Sequence, residues 1–181
     1  MTERIVCLVL GAYCLLPSAG CGYTVHSALP GSYRTVCVQP FTNQIDITTD
    51  VTDRSRYKVY RPRLEADITN AVVNRYIFDG NLRITDASRA NLLLTGALKD
   101  FRRDPLRYDS NRNVEEYRLS LVVDLEMREL AGNTVLWSEP SFTGDATFFV
   151  TGSLAEAERT ALDRAVEDLA RRVVERTVEN W

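Results

Sequence analysis

The densest group of residues able to do chemistry lies between positions 102 and 112, in the run Arg102-Arg103-Asp104-Pro105-Leu106-Arg107-Tyr108-Asp109-Ser110-Asn111-Arg112. Four guanidiniums, Arg102, Arg103, Arg107 and Arg112, stand around a proline turn, and the guanidinium fork matches the spacing of phosphate oxygens. Asp104 and Asp109 offset part of that charge, so a solvated hairpin tip is the competing reading. Catalysis has little material. His26 is the single histidine, and the carboxylates of residues 115–129 sit on an open strand face with no histidine, cysteine or glycine-rich loop beside them. Solvated carboxylates rarely acquire the shifted pKa that acid-base work requires. A non-enzymatic role, without cofactor or metal, is the expectation.

The remaining reactive groups are thiols, and position decides their fate. Arg4 precedes the apolar run from Ile5 to Leu16, and Ser18-Ala19-Gly20 follows it. A charged start, an apolar stretch of about a dozen residues and a small-residue exit make 1–20 a signal peptide, too short to cross a bilayer as a helix. Ser18-Ala19-Gly20-Cys21 resembles the lipobox of bacterial lipoproteins. That resemblance implies that Cys21 is acylated and becomes the first mature residue, with Gly22 after it directing passage to the outer membrane. Acyl chains contribute about 0.8 kcal/mol per buried methylene, so two or three of them hold a domain at a membrane persistently. Ordinary cleavage near Ala19 is the alternative, leaving Cys21 a free or disulfide-bonded thiol. Cys7 and Cys14 leave with the leader. Cys37, between Val36 and Val38, reads as a small buried apolar residue of a strand.

Removing the leader leaves 161 residues, enough for one domain with a real core. The net charge of −3 is unchanged, because Glu3 and Arg4 leave together. A mild acidic excess argues against nucleic acid as the main partner. The layout expected is a lipid-anchored tether over 21–35 and a single α+β domain over 36–181.

Within that domain, Val36 to Phe41 is a short β-branched strand stopped by Pro40. Residues 44–59 are a long polar loop without periodicity. A first helix is predicted from Pro62 to Phe78 with Leu64, Ile68, Ala71, Val72 and Tyr76 as its buried stripe. Leu82-Arg83-Ile84 is a short strand and Asn91 to Phe101 a longer one, with Gly96 marking a close approach. Alternation is clearest at 115–129, where Tyr117, Leu119, Leu121, Val123, Leu125 and Met127 share one face. After a turn at Ala131-Gly132-Asn133 the chain returns as a strand from Thr134 to about Val150, bent or interrupted at Pro140 and Gly144. Ser153-Leu154-Ala155-Glu156 has the form of a capping box, predicting a last helix from there to about Val178. Its Arg159, Arg164, Arg171 and Arg172, interleaved with acids, read as a solvated face. Trp137 and Tyr117 read as core aromatics rather than a ligand-stacking pair. Both helices then cover one sheet face, and the other is polar and either wet or in contact with a partner.

Taken together, Cys21-Gly22-Tyr23, Val36 to Asn43, Ala90 to Gly96, Glu116-Tyr117-Arg118-Leu119, Val135-Leu136-Trp137 and the closing amphipathic helix resemble the LPS-assembly lipoprotein family, LptE. The resemblance implies two helices packed on one face of a mixed, mostly antiparallel sheet of about four strands. It also implies a lipoprotein on the periplasmic side of the outer membrane, plugging and helping to assemble an LPS-transporting barrel of the LptD kind and contacting lipopolysaccharide. The arginines at 102–112 would then meet lipid A phosphates. An adaptor lipoprotein of another trans-envelope assembly is the alternative reading.

Overall fold

The computed structural model describes residues 31–45 and 62–179. The predicted signal peptide, Cys21, His26, most of the predicted tether and nearly all of the predicted polar loop lie outside the described residues.

The sheet is built on three long antiparallel strands: β4 (Leu92–Tyr108), β5 (Val114–Glu129) and β6 (Thr134–Phe149). Three short strands run parallel beside them, β1 (Thr35–Val38), β2 (Thr42–Asn43) and β3 (Arg83–Ile84). The order is β3-β1-β4-β5-β6, with β2 on the same side of β4 as β1. The sheet has six strands rather than about four, because Arg83–Ile84 adds an edge strand beside β1 and the sequence run at 36–43 breaks at Gln39-Pro40-Phe41 and pairs with β4 in two pieces. Helices α1 (Leu64–Asp79) and α2 (Glu158–Glu179) complete an α+β fold.

The alternation in β5 positions the core. Leu119, Leu121, Val123, Leu125 and Met127 are buried against the helices, and α1 presents Leu64, Ile68, Val72 and Tyr76 to the same core. The strand β4 runs seven residues past the predicted Phe101, through Pro105. A bulge at Lys99 explains its face pattern, since Leu98 pairs with Val123 and Asp100 with Val122. One extra residue inverts the alternation, so Phe101 joins the core face with Leu98 rather than the opposite face. On β6, Val123 pairs with Phe142 and Leu125 with Glu139, so pairing is interrupted at Pro140. Gly144 stays in register with Leu121. The face away from the helices is not uniformly wet: Ser120 and Val122 are buried, and the Ser120 hydroxyl lies 2.5 Å from Asp145 Oδ1. Cys37 is half-buried rather than buried, because the alternation of β1 gives the core to Val36.

The last helix begins at Glu158, not at the capping box. Glu156 N–H donates to Phe149 O at 3.0 Å, and Phe149 and Ala155 form a parallel bridge. Residues 150–156 are thus held to the end of the sheet, and the Glu156 carboxylate pairs with Arg164 instead of closing a cap.

Helix α2 also protects the outer edge of β6. Arg164 Nη2 donates to Thr147 O at 2.8 Å, Asp145 N–H donates to Asp168 Oδ2 at 3.1 Å, and Arg172 Nη1 donates to Thr143 O at 2.5 Å. Four helical residues advance about 6 Å and two strand residues about 6.8 Å, so the row 164, 168, 172 keeps step with 147, 145, 143. Side chains of the helix occupy the row of groups through which an edge strand recruits another chain. Of the predicted solvated arginines, Arg164 and Arg172 belong to this row, whereas Arg171 pairs with Asp168 and Glu175. Replacing Arg164, Asp168 and Arg172 together with alanine is expected to cost about 2 kcal/mol. The variant should also self-associate through β6, as read by urea unfolding and light scattering.

A second polar contact ties the helices to each other. Thr177 Oγ1 donates to Val173 O at 2.9 Å, so the Tyr76 hydroxyl, 2.7 Å away, donates to Thr177. Both groups are buried. Thr177→Val, which strands the tyrosine hydroxyl, should cost about 2 kcal/mol, and Tyr76→Phe about 1 kcal/mol. Burial pushes the Tyr76 pKa well above its usual 10.0, against a smaller opposing effect of the Thr177 hydrogen bond. The fold therefore favours the neutral phenol: its stabilisation is complete below the unfolded pKa and declines as pH rises beyond about 10. Tyr76→Phe should remove that alkaline decline in a pH series of chemical denaturation.

Candidate functional site

The sheet ends opposite the entry of the chain in an arm made by β4, β5 and the last part of β6. Its turn is short, Asp109 to Asn113. Asn111 N–H and Asn113 N–H donate to Asp109 Oδ1 at 2.8 and 2.7 Å, and Asn113 Nδ2 donates to Oδ2 at 3.0 Å. The Asn113 side chain and then the backbone donors hold the Asp109 carboxyl below its usual pKa. Arg112 takes φ of +66° to close the turn.

Because β4 continues to Tyr108, the run at 102–112 is strand for most of its length rather than a charged turn. The four arginines do not converge. Arg103 lies on the helix side, its Nη1 2.7 Å from Glu158 Oε2 and its guanidinium 4.8 Å over the Tyr117 ring. Tyr117 stacks on Phe148 at 5.8 Å, so Arg103 pins the start of α2 to the sheet. Arg102 lies on the other face, 3.7 Å from Asp100. Arg107 shares that face, 3.7 Å from Glu116 and 5.5 Å over the Phe149 ring. Arg112 stands at the turn. Arg107 and Arg112 are the two exposed cations of the set.

Beside them the arm exposes apolar side chains that the sequence pattern did not single out: Leu106, Tyr108, Val150 and Leu154. Leu154, within the predicted capping box at the start of the last helix, is 69 % exposed and borders a shallow recess of about 290 Å³ with Phe149 and Glu115. The signal available was Thr151-Gly152-Ser153 before Leu154, a turn composition that competes with a helix start. At the opposite end of the sheet, Trp137 is buried under the Arg176 guanidinium at 5.0 Å. It is a core aromatic and is not paired with Tyr117. Among the described residues no cluster of histidine, cysteine, aspartate and glutamate could hold a metal ion, and no described helix is long and apolar enough to cross a membrane.

The described residues form a two-helix, mixed-sheet α+β domain whose charged groups lie on strand faces, at the hairpin end and along α2. A family model for lipopolysaccharide assembly, LptE, matches residues 33–177, and the chain belongs to that family. Among solved structures, a hypothetical protein from Chlamydia trachomatis shares the fold at a TM-score of 0.53 and 12 % identity, covering 81 % of this chain and 96 % of that one. A protein from Xanthomonas campestris does so at 0.52 and 12 %, covering 82 % and 88 %. Rare lipoprotein B from Shewanella oneidensis aligns at a TM-score of 0.44 and 16 % identity, over 79 % and 89 %. No curated protein matches the chain.

Proposed function

We propose that this chain is the lipoprotein partner of an outer-membrane LPS translocon. It would be acylated at Cys21 after loss of residues 1–20, tethered through residues 21–35 on the periplasmic side, and seated through its 36–181 domain in the LptD-like barrel. The observation that carries this reading is the family match over residues 33–177, which takes in every strand, the first helix and all but the last two residues of the second. The role is structural and in lipid delivery rather than catalytic. A polar strand face suits the polar inner wall of a barrel, and the protected β6 edge lets the sheet enter a β-rich partner without pairing to it at random.

Lipopolysaccharide would be met at the arm. Arg107 and Arg112 supply cations for lipid A phosphates, and Leu106 and Tyr108 supply apolar contact beside them. Arg102 and Arg103, also candidates from the sequence, are half-buried beside Asp100 and the Glu158 of α2 and would act mainly by holding the arm in shape, whereas Arg107 is exposed even with Glu116 3.7 Å away. The test has two arms. Affinity-purified protein should bring down a large outer-membrane barrel together with LPS; recovery of a periplasmic complex without a barrel favours the trans-envelope adaptor and overturns this reading. Purified Arg107→Ser/Arg112→Ser protein should bind LPS about tenfold more weakly than the parent at unchanged stability, and unchanged LPS binding removes the arm as the contact site.

A further inference from the structure

The end of the fold opposite the arm carries a second amphipathic surface. Near its end helix α1 presents Ile77 and Phe78, 64 % and 81 % exposed, followed by its last residue Asp79 and by Gly80, which turns the chain at φ of +77° toward β3. The Arg75 guanidinium lies over the Phe78 ring at 5.3 Å. The strand that follows is laid against the entry strand: Arg83 N–H donates to Arg34 O at 3.0 Å, and Thr35 pairs with Arg83. The exposed tip of α1, Arg83 and Arg34 therefore lie around the point where the chain from Cys21 enters the domain.

The arginines here differ from most others in the molecule. Nine described arginines, at 89, 102, 103, 107, 128, 164, 171, 172 and 176, pair with carboxylates. Among the described residues, seven arginines make no ion pair with a described carboxylate; Arg63, Arg112, Arg118 and Arg159 lie elsewhere, and Arg34, Arg75 and Arg83 are the three at this end. Three guanidiniums outside any ion pair, beside an exposed Ile-Phe pair and outnumbering the nearby acids Asp79 and Glu167, suit a surface that offers phosphates above and acyl chains beneath. Long arginine stems and an aromatic ring bury in such an interface while the charged heads remain at headgroup level.

We propose that this end of the domain docks on the anionic phospholipid surface of the membrane to which Cys21 is anchored, with Phe78 and Ile77 inserted among the headgroups and Arg34, Arg75 and Arg83 on lipid phosphates. The proposal rests on the lipid-anchor reading. Ten residues separate Cys21 from Gly31, a span of at most about 36 Å when fully extended, so the anchor keeps this end, and not the distant arm, against the bilayer. The docked face then sets the orientation of the sheet, with the arm directed away from the leaflet that holds the anchor.

The test uses the full lipidated protein in phosphatidylethanolamine–phosphatidylglycerol vesicles whose acyl chains are brominated. Tryptophan introduced by Phe78→Trp should lose at least half of its added fluorescence relative to unbrominated vesicles, whereas tryptophan at Leu154→Trp on the arm should lose almost none. Equal quenching at the two positions overturns the proposal. Failure of the protein to float with vesicles overturns the anchor instead, and docking is then read from the Cys21→Ser protein alone. That form should bind phosphatidylglycerol vesicles about tenfold more tightly than Ile77→Ser/Phe78→Ser/Cys21→Ser. Equal binding of the two sinks the docking surface, and matching thermal midpoints exclude unfolding as the cause.

Discussion

Replacing Gly144 with valine is expected to destabilise the protein by about 3 kcal/mol or more, as measured by urea unfolding. Gly144 sits in β6 opposite Leu121, where α2 crosses the sheet. A Cβ at this position would meet Leu169 Cβ and would lie 2.7 Å from both Ala165 O and Leu169 Cα. These are backbone and near-backbone atoms of a buried helix turn, so no side-chain rotation relieves the overlap. Either α2 lifts or β6 bows. If the helix lifts, the neighbouring row Arg164, Asp168 and Arg172 loses its register with Thr147, Asp145 and Thr143, and the β6 edge opens. Gly144→Ala should therefore act in the same direction, with a smaller loss of about 2 kcal/mol, because the first added carbon already collides. Gly31, with open space around it, provides the control: Gly31→Ala should change stability by less than about 0.5 kcal/mol. A Gly144→Val protein as stable as the parent would mean that α2 does not rest on this strand as described.

What the sequence reveals and what it conceals divide along one physical line, that of local against non-local causes. The β5 alternation from Leu119 to Met127 is legible because a strand with one face buried repeats its own pattern every two residues. The α1 stripe of Leu64, Ile68, Val72 and Tyr76 is legible for the same reason at a period near four. Gly96 is legible as a close approach, though not the Phe41 ring that approaches it. The bulge at Lys99 is invisible, since inserting one residue changes which side chains share a face without changing composition. The separation of Arg102 from Arg103 is hidden because β4 continues through Pro105 to Tyr108, so that consecutive residues take opposite faces where a proline and a high local charge made the run look like one turn. The capping box at Ser153 fails because a competing partner lies in space rather than in sequence: Phe149 O captures Glu156 N–H and delays the helix to Glu158. Asp168 and Arg172 read as ordinary surface charges because their partners are backbone groups 23 and 29 residues away. The arginines of the arm were found by type and spacing, but which of them remain open to a ligand depends on Glu158, Asp100 and Glu116 standing beside them.

Phe41→Ala is expected to cost about 3–5 kcal/mol, the upper range for emptying a buried aromatic site. Phe41 occupies the break between β1 and β2, where Pro40 offers no N–H and the strand run is interrupted. Its own N–H donates to Thr69 Oγ1 at 2.9 Å, and that hydroxyl donates to Glu65 O at 2.7 Å, so the residue joins the sheet to the first turns of α1. Its buried ring lies over Gly96 so closely that a Cβ there would be 2.5 Å from Phe41 Cδ1 and Cζ. Removing the ring leaves a void bounded by α1 and β4, and collapse is limited because β1 and β2 fix the backbone on either side through Leu92–Leu94 and Ala97–Leu98. The pair should couple measurably. Gly96→Ala in the parent forces a buried ring to move and should cost about 2 kcal/mol. In the Phe41→Ala background the same methyl enters vacated space and should be neutral or stabilising. A double-mutant cycle from urea unfolding should thus give a coupling of at least about 1 kcal/mol. Additive costs would show that Gly96 yields to something other than the Phe41 ring, and that β1 and β2 are divided by the proline alone.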